Sequence, residues 1–345
     1  MKRRECVYVI GAGFSAGLGY PLIGDLLLRL WRRLEEPLQE KLRRVIEFHH
    51  PGFRPEQFTS FPNVEELLSE MMVNDELFKA SRQYEGGFTE EDLRTLQRDL
   101  LLAVTEWFHE LGQKVTPADP QNHPWLAAFR DKVRDENAAL ISFNWDLILD
   151  ELLFGSSLSS ENYGFSDSVT RRPVLLKPHG SLNWFEDNQG RFLRDDKKIR
   201  LFPLSLPLKT KDRVYAFREF RAPKSKHDRL YTPLIIPPVL LKRFENRVFE
   251  MLWKKCVSAL STAKTVVFLG YSMPPADLHA QFIIRCGFDN QIQGELTKRG
   301  RTKPTGPSKV IIVNPDGSAA RRIASVVGPH SNSEWISKPA ADWLD

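Results

Sequence analysis

Cysteine is scarce in this chain of 345 residues: Cys6, Cys256 and Cys286 are the only three, far apart and with no Cys-x-x-Cys pair. Neither a disulfide framework nor a four-cysteine zinc site can be assembled from them, so a reducing compartment and no metal are expected. Also missing is any run of about 18 apolar residues, the length a membrane-crossing helix needs. The N-terminus imitates a secretory signal, with Lys2, Arg3 and Arg4 ahead of an apolar stretch. Glu5 interrupts that basic end, however, and Gly11, Gly13, Gly17 and Gly19 break the apolar helix a signal requires. A soluble, cytoplasmic protein with no membrane partner is the expectation. There is no large excess of one charge either: 49 Lys plus Arg stand against 44 Asp plus Glu, a net of +5. With 41% hydrophobic and 27% charged residues, a disordered or fibrous chain is excluded. No internal repeat or low-complexity tract appears.

What is present is a series of short apolar runs, each ending abruptly in polar or glycine-rich sequence. Residues 6–10 (CVYVI) predict a buried first strand that stops at Gly-Ala-Gly. Pro21 stands where a helix can start, and Leu22, Leu26, Leu27 and Leu30 share a helical face. From 31 to 134 the spacing of apolar residues is helical throughout and no second strand is evident. Strands resume at 139–143, 173–177, 234–238, 265–270 and 309–314. Helical stretches at 146–154, 246–260, 277–287 and 316–326 alternate with them, the pattern of parallel βαβ units. The domain reading is therefore an α/β unit made of 1–30 plus 135–330, interrupted by a helical insertion at 31–134 and followed by a C-terminal tail at 331–345. A polar loop is expected at 293–309.

Polar clusters follow the predicted strands, where open α/β sheets place their ligand crevice. The first, GAGFSAG at 11–17, matches the G-x-G-x-x-G/A form at Gly11, Gly13 and Ala16. Such glycines permit a tight turn and a close approach to a pyrophosphate, with the Ser15 hydroxyl as a further donor. They equally serve a tight strand-to-helix turn with no ligand. The others are SFNWD at 142–146, KPHGSLNW at 177–184, GYSMPPAD at 270–277 and VNPD at 313–316.

Taken in order, these motifs resemble the sirtuin family, and more closely its prokaryotic sirtuin-like NAD-hydrolysing members of anti-phage defence. The resemblance implies a Rossmann-like parallel sheet of sirtuin type and NAD+ as substrate. Gly11, Ala12, Gly13 and Ser15 would meet the NAD phosphates. Asn144 and Asp146 match the family's Asn-x-Asp beside the nicotinamide ribose, and His179 of the His-Gly pair would be the catalytic histidine. Gly270 and Ser272 match a Gly-x-Ser that contacts the cofactor, and Asn314 an asparagine that holds the adenosine ribose. Asp277 is explained about as well by helix capping before LHAQFIIRC.

Two departures shape the expected activity. The zinc module that frames the acyl-lysine groove of deacylating sirtuins is absent, and Pro21 leads into LIGDLL rather than the Phe-Arg of those enzymes. Hydrolysis of NAD+ to nicotinamide and ADP-ribose is the leading expectation, with protein deacylation or ADP-ribosyl transfer as its enzymatic alternative and a non-catalytic nucleotide sensor as the alternative from another class. Cleavage through an oxocarbenium-like state asks for little acid catalysis. It gains from an amide such as Asn144 to orient ribose or water, and from an imidazole such as His179 to accept a proton.

For partners, self-assembly into a homo-oligomer is expected, since an unregulated hydrolase of a central cofactor would poison its cell. Trp31, Trp107 and Phe108 are interface anchors in that reading and insert core in the alternative. Some relatives by this resemblance act beside a HerA-type ATPase. Residues 186–232 hold 13 Lys plus Arg and 7 Asp plus Glu, a net of +6. This stretch is read as a solvated loop or hairpin, with nucleic acid or an acidic partner as the other option. His49 and His50 have no metal-ligand spacing and are assigned to the surface.

Overall fold

The apolar run at the start of the chain becomes the centre of a parallel sheet in the computed structural model, which describes residues 6–81, 89–115, 117, 121–165, 173–186, 201–204, 214–217, 233–236 and 247–344. All five residues of β1 (Cys6–Ile10) are buried, as a strand covered by helices on both faces requires. Its neighbours are β2 (Ala139–Ser142) on one side, followed by β3 (Val174–Leu176). Two short antiparallel elements interrupt the chain between strands of this sheet, one before its fourth strand and one after it. The first is a three-stranded sheet of β4 (Trp184–Glu186), β5 (Leu201–Pro203) and β6 (Val214–Phe217), in the order β4-β6-β5. On the other side of β1 lies β7 (Thr265–Leu269). The second element is the two-residue hairpin of β8 (Leu296–Thr297) and β9 (Gly300–Arg301), within the expected polar loop. Then come β10 (Lys309–Val313) and β11 (Asn332–Ile336).

The six parallel strands run β3-β2-β1-β7-β10-β11 across the sheet. Counted along the sheet's own chain order this is 3-2-1-4-5-6, the doubly wound arrangement. The strand order reverses between β1 and β7, and the carboxyl ends of the strands at such a switch point are where open α/β sheets place their ligand crevice.

Connecting helices follow the sequence pattern closely. After the five-residue α1 (Ala12–Ala16), the insertion folds into α2 (Ile23–Trp31), α3 (Glu36–His49), α4 (Val64–Ser81), α5 (Glu90–Val115) and α6 (Pro124–Asp135). Next are α7 (Ile148–Phe154), α8 (Arg247–Thr262), α9 (Leu278–Gln293), α10 (Gly317–Val327) and α11 (Ala340–Leu344). Helix α6 locks the insertion to the sheet: the Phe129 ring meets Tyr8 edge-on at 5.2 Å and lies 5.2 Å from Phe14. Trp107 and Phe108 are buried, and Trp31 packs on Phe53 and Phe61. These aromatics fill the insertion's own core rather than stand out as anchors.

Three expectations are corrected. The stretch 331–345 is no simple tail: it supplies the sheet's edge strand β11 and helix α11. Its polar sequence, Asn-Ser-Glu-Trp-Ile, suits an exposed edge and hides the strand from any search for apolar runs. The expected strand at 234–238 is reduced to one antiparallel bridge between Gly180 and Ile235, with residues 237–238 outside the described ones. Pro233 and Pro237 flank it and lack the N–H a ladder needs. His49 and His50 are half-buried rather than surface residues, the His50 Nε2 lying 3.0 Å from Glu70 on α4. The basic runs at 197–200, 209–213 and 221–229 lie outside the described residues. No helix among the described residues is long and apolar enough to cross a membrane.

Candidate active site

Two turns meet at the switch point, one after β1 and one after β7. The Gly13 amide donates to the Gly270 carbonyl at 2.8 Å, and the Gly11 amide to Leu269 at 3.3 Å. A Cβ on Gly13 would lie 2.8 Å from the Gly270 oxygen. Gly270 itself has φ +62°, and a Cβ there would lie 2.4 Å from the Phe14 nitrogen. The glycines of both motifs are therefore first required by the mutual approach of these turns. Ala12 and Ser15 ride on the short helix α1 that follows.

Asn144, just past β2, reaches across to this turn. Its Nδ2 donates to the Gly11 carbonyl at 3.0 Å and to Ser15 Oγ at 3.2 Å, and Ser15 Oγ donates in turn to Asp146 Oδ2 at 2.7 Å. Both amide hydrogens of Asn144 are thus committed, which leaves its Oδ1 as the acceptor for a ligand. Asp146 also accepts from the Ile148 amide at 3.1 Å, where α7 begins. Burial pushes the Asp146 carboxyl above the ordinary aspartate range, while Lys177 and the Ser15 hydrogen bond pull it back.

Lys177, at the end of β3, is fully buried, and the sequence reading gave it no role. Its Nζ donates to the Asp146 carbonyl at 2.7 Å, to Asp150 Oδ2 at 3.0 Å and to Ser181 Oγ at 2.6 Å. The Tyr163 hydroxyl donates to the other oxygen of Asp150. All three hydrogens of the ammonium are used, as a buried charge demands. This network ties the start of α7 to the loop after β3, and so fixes Asp146 relative to His179.

His179 is the next chemical group in that loop, only 7% exposed. Its Nε2 lies 3.1 Å from Asp277 Oδ2, while the Oδ1 of the same carboxylate accepts from the Ala280 amide at 3.2 Å and caps α9. Asp277 thus both caps α9 and meets His179, two contacts that its sequence position does not separate. The Phe143 ring meets His179 edge-on at 4.9 Å and stacks on Tyr271 at 4.8 Å. Gly180 has φ +80°, and a Cβ on it would come within 2.1 Å of the Leu234 carbonyl, so the glycine after His179 lets the loop close on the 233–236 segment.

Asn314, after β10, uses its side chain within the protein: Nδ2 donates to the Tyr271 carbonyl at 3.0 Å and Oδ1 accepts from Asp316 at 2.9 Å. It holds the β7 turn in place. Ser272 lies in that turn, its carbonyl taken by Arg322 at 2.9 Å. The Trp184 side chain is fully buried core, and Trp145 is partly buried. The structure gathers Gly11, Gly13, Ser15, Asn144, Asp146, His179, Gly270 and Asn314 along one end of the sheet. To the group expected from sequence it adds Asp277, Lys177 and Phe143. Among the described residues, no group of three or more His, Cys, Asp or Glu side chains is arranged to hold a metal ion.

No protein-family model matches this chain, and no curated protein does. Among solved structures, it is similar to a Sir2 homologue–NAD complex at 15% identity and a TM-score of 0.43, covering 100% of this chain and 88% of that one. It is also similar to a Sir2 homologue mutant–ADP ribose complex, at 15% identity and a TM-score of 0.42 over 100% and 90% of the two chains. A Sir2 enzyme bound to a propionylated peptide gives 14% identity and a TM-score of 0.37 over 99% and 91%.

Proposed function

We infer that the crevice cleaves NAD+ to nicotinamide and ADP-ribose, making this chain a sirtuin-like NAD+ glycohydrolase. The observation that carries the reading is the convergence of Asn144, with only its Oδ1 left for a ligand, and a carboxylate-paired His179 at the switch point of a doubly wound sheet. Sheets of this order hold dinucleotides there.

In this reading the bond between ribose C1′ and the pyridinium nitrogen breaks with its electron pair passing to the nitrogen, so nicotinamide leaves neutral. Positive charge develops on the ribose as in other glycosyl cleavages. The Asn144 Oδ1 accepts a hydrogen bond from a ribose hydroxyl or the attacking water. Water bonds to C1′ and gives up a proton. With Nε2–H directed at Asp277, the neutral His179 tautomer carries its lone pair on Nδ1, which makes that atom the proton acceptor. Asp277 is then a positioning residue that fixes the tautomer and ring orientation.

The lack of a four-cysteine module in the sequence favours water over an acyl-lysine as the acceptor. Nicotinamide release from NAD+ by the purified chain, with and without an acyl-lysine peptide, tests this directly. Release without peptide is expected, and strict dependence on the peptide would replace hydrolysis by deacylation. Asn144→Ala and His179→Ala should each remove turnover by about 10²-fold or more while the chain stays folded. Loss of less than about threefold in either would remove that residue from the mechanism. Regulation by self-assembly, by a HerA-type ATPase or by nucleic acid on the basic segment belongs to the same proposal, and light scattering of the active enzyme addresses the first.

A further inference from the structure

Helix α9 packs against α8 and α10 and turns one face outward, where a helix that only covers a sheet is expected to be polar. Leu278, Phe282, Arg285 and Asp289 share that face at spacings of four, three and four, all of them exposed, and half-buried Ile292 continues the line. Phe282 is 66% exposed and Leu278 51%, while just past the helix Leu296 of the β8–β9 hairpin is 71% exposed. Of the eight large apolar side chains left exposed among the described residues, three therefore lie along or just beyond this one helix, which marks it as a contact face. Arg285 and Asp289 stand one turn apart on it. Among the described residues, neither has an ion pair with the other or elsewhere.

We propose that this face joins two copies of the chain, α9 lying antiparallel to the α9 of the second copy across a twofold axis. The charges select that occupant. A twofold contact sets one patch against itself, so a cation and an anion placed on either side of the axis satisfy each other twice. Arg285 of each copy meets Asp289 of the other, and the axis passes level with residue 287. The same operation sets Phe282 against Ile292, and Leu278 against the hairpin that carries Leu296. Apolar groups thus meet apolar groups and opposite charges meet along all 16 residues of the helix, about 24 Å. A parallel twofold pairing would instead set arginine on arginine and aspartate on aspartate. One helix pair is a small interface, so a reversible dimer with a Kd of about 10 μM is expected. The contact gives the self-assembly of the proposed function a surface, and for its bearing on the site it rests on that reading: Asp277 begins α9 and meets His179, so the second copy's hairpin, seated at Leu278, borders the segment that orients the base.

Sedimentation velocity of the full chain from about 1 to about 100 μM, with no nucleotide present, reads mass alone and so stands or falls apart from nicotinamide release. The parent should pass reversibly from monomer to dimer over that range. Phe282→Glu, at an exposed position, should stay folded by circular dichroism and remain monomeric. Arg285→Glu and Asp289→Arg should each weaken the dimer by about tenfold or more, because each sets like charges together on both sides of the axis. Mixed in equal amounts, these two variants should associate to within about threefold of the parent Kd, since the two changed side chains are then opposite in charge and so are the two unchanged ones. A parent that is monomeric at about 100 μM overturns the proposal, as does a dimer indifferent to Phe282→Glu and to both charge changes. A dimer lost in the single variants and not regained on mixing overturns the antiparallel pairing.

Discussion

Asp277 holds two groups at once: its Oδ1 accepts from the Ala280 amide at 3.2 Å and its Oδ2 lies 3.1 Å from His179 Nε2. The first contact starts α9 and the second sets the ring of the proposed base. Two substitutions separate them. Asp277→Asn keeps an oxygen for the cap but takes the carboxylate away from the imidazole. Asp277→Ala loses both. The expected outcome is that Asp277→Asn stays within about 0.5 kcal/mol of the parent in stability yet loses tenfold or more in nicotinamide release, whereas Asp277→Ala also loses about 1 kcal/mol from the missing cap. Thermal melts paired with turnover measure this. Full activity in the Asp277→Asn variant would leave Asp277 with its capping role alone.

Lys177 and Asp150 form a buried pair at 3.0 Å, each side chain shut away from solvent. Removing only the cation leaves a buried carboxylate with the Tyr163 hydroxyl as its donor but no opposite charge. Lys177→Met should therefore destabilise by about 3–5 kcal/mol. Lys177→Met combined with Asp150→Asn should recover much of that loss, since the Asp150 charge is then gone along with its partner. Equilibrium urea denaturation of the single and double variants gives the coupling, and additive losses would show that the pair does not act as a unit.

Much of this arrangement is legible in the sequence for a simple reason. β1 and β7 are buried on both faces, so they appear as unbroken apolar runs, and each ends at glycine because the two following turns pack against one another. β11 is illegible for the converse reason: on the exposed edge it has no face to bury along most of its length, and nothing in Asn-Ser-Glu-Trp-Ile marks a strand. Lys177 looks like any lysine until β3 and α7 bring Asp150, Ser181 and the Asp146 carbonyl around it, contacts made across as many as 31 residues. Asn314 shows the limit of motif matching. Its position in the motif suggested a ligand, and the structure gives its amide a second, internal task on the Tyr271 carbonyl.

Asp146 makes stability depend on pH in a defined direction. Burial raises its carboxyl pKa above the ordinary 3.8, so the folded protein keeps this proton to higher pH than the unfolded chain. The stabilisation from that proton is fully present below the unfolded value and is lost as pH rises through the folded one. In Asp146→Asn the loss disappears, while the amide oxygen still accepts from Ser15. The variant's melting temperature should fall less than the parent's as pH rises through and beyond 3.8, leaving it relatively more stable on the neutral side. Melting curves at a series of pH values decide it: parallel curves would mean that Lys177 and Ser15 fully offset the burial.

Gly270 tests whether the two turns at the switch point must touch. Its φ of +62° and the 2.4 Å from a built Cβ to the Phe14 nitrogen are separate demands, one on backbone conformation and one on space. Gly328, which follows α10, also has positive φ, +85°, but has nothing within 4 Å of a built Cβ. Gly328→Ala should therefore cost only the conformational part, about 1 kcal/mol. Gly270→Ala adds a collision with backbone that cannot rotate away, worth about 1–3 kcal/mol more. It should also push the Gly11–Ser15 turn off Asn144, so its loss of turnover should exceed what its stability change explains. If Gly270→Ala matches Gly328→Ala in stability and retains nicotinamide release, the close approach of the turns is not what the glycines of the two motifs are for, and their amides would have to be sought by the dinucleotide itself.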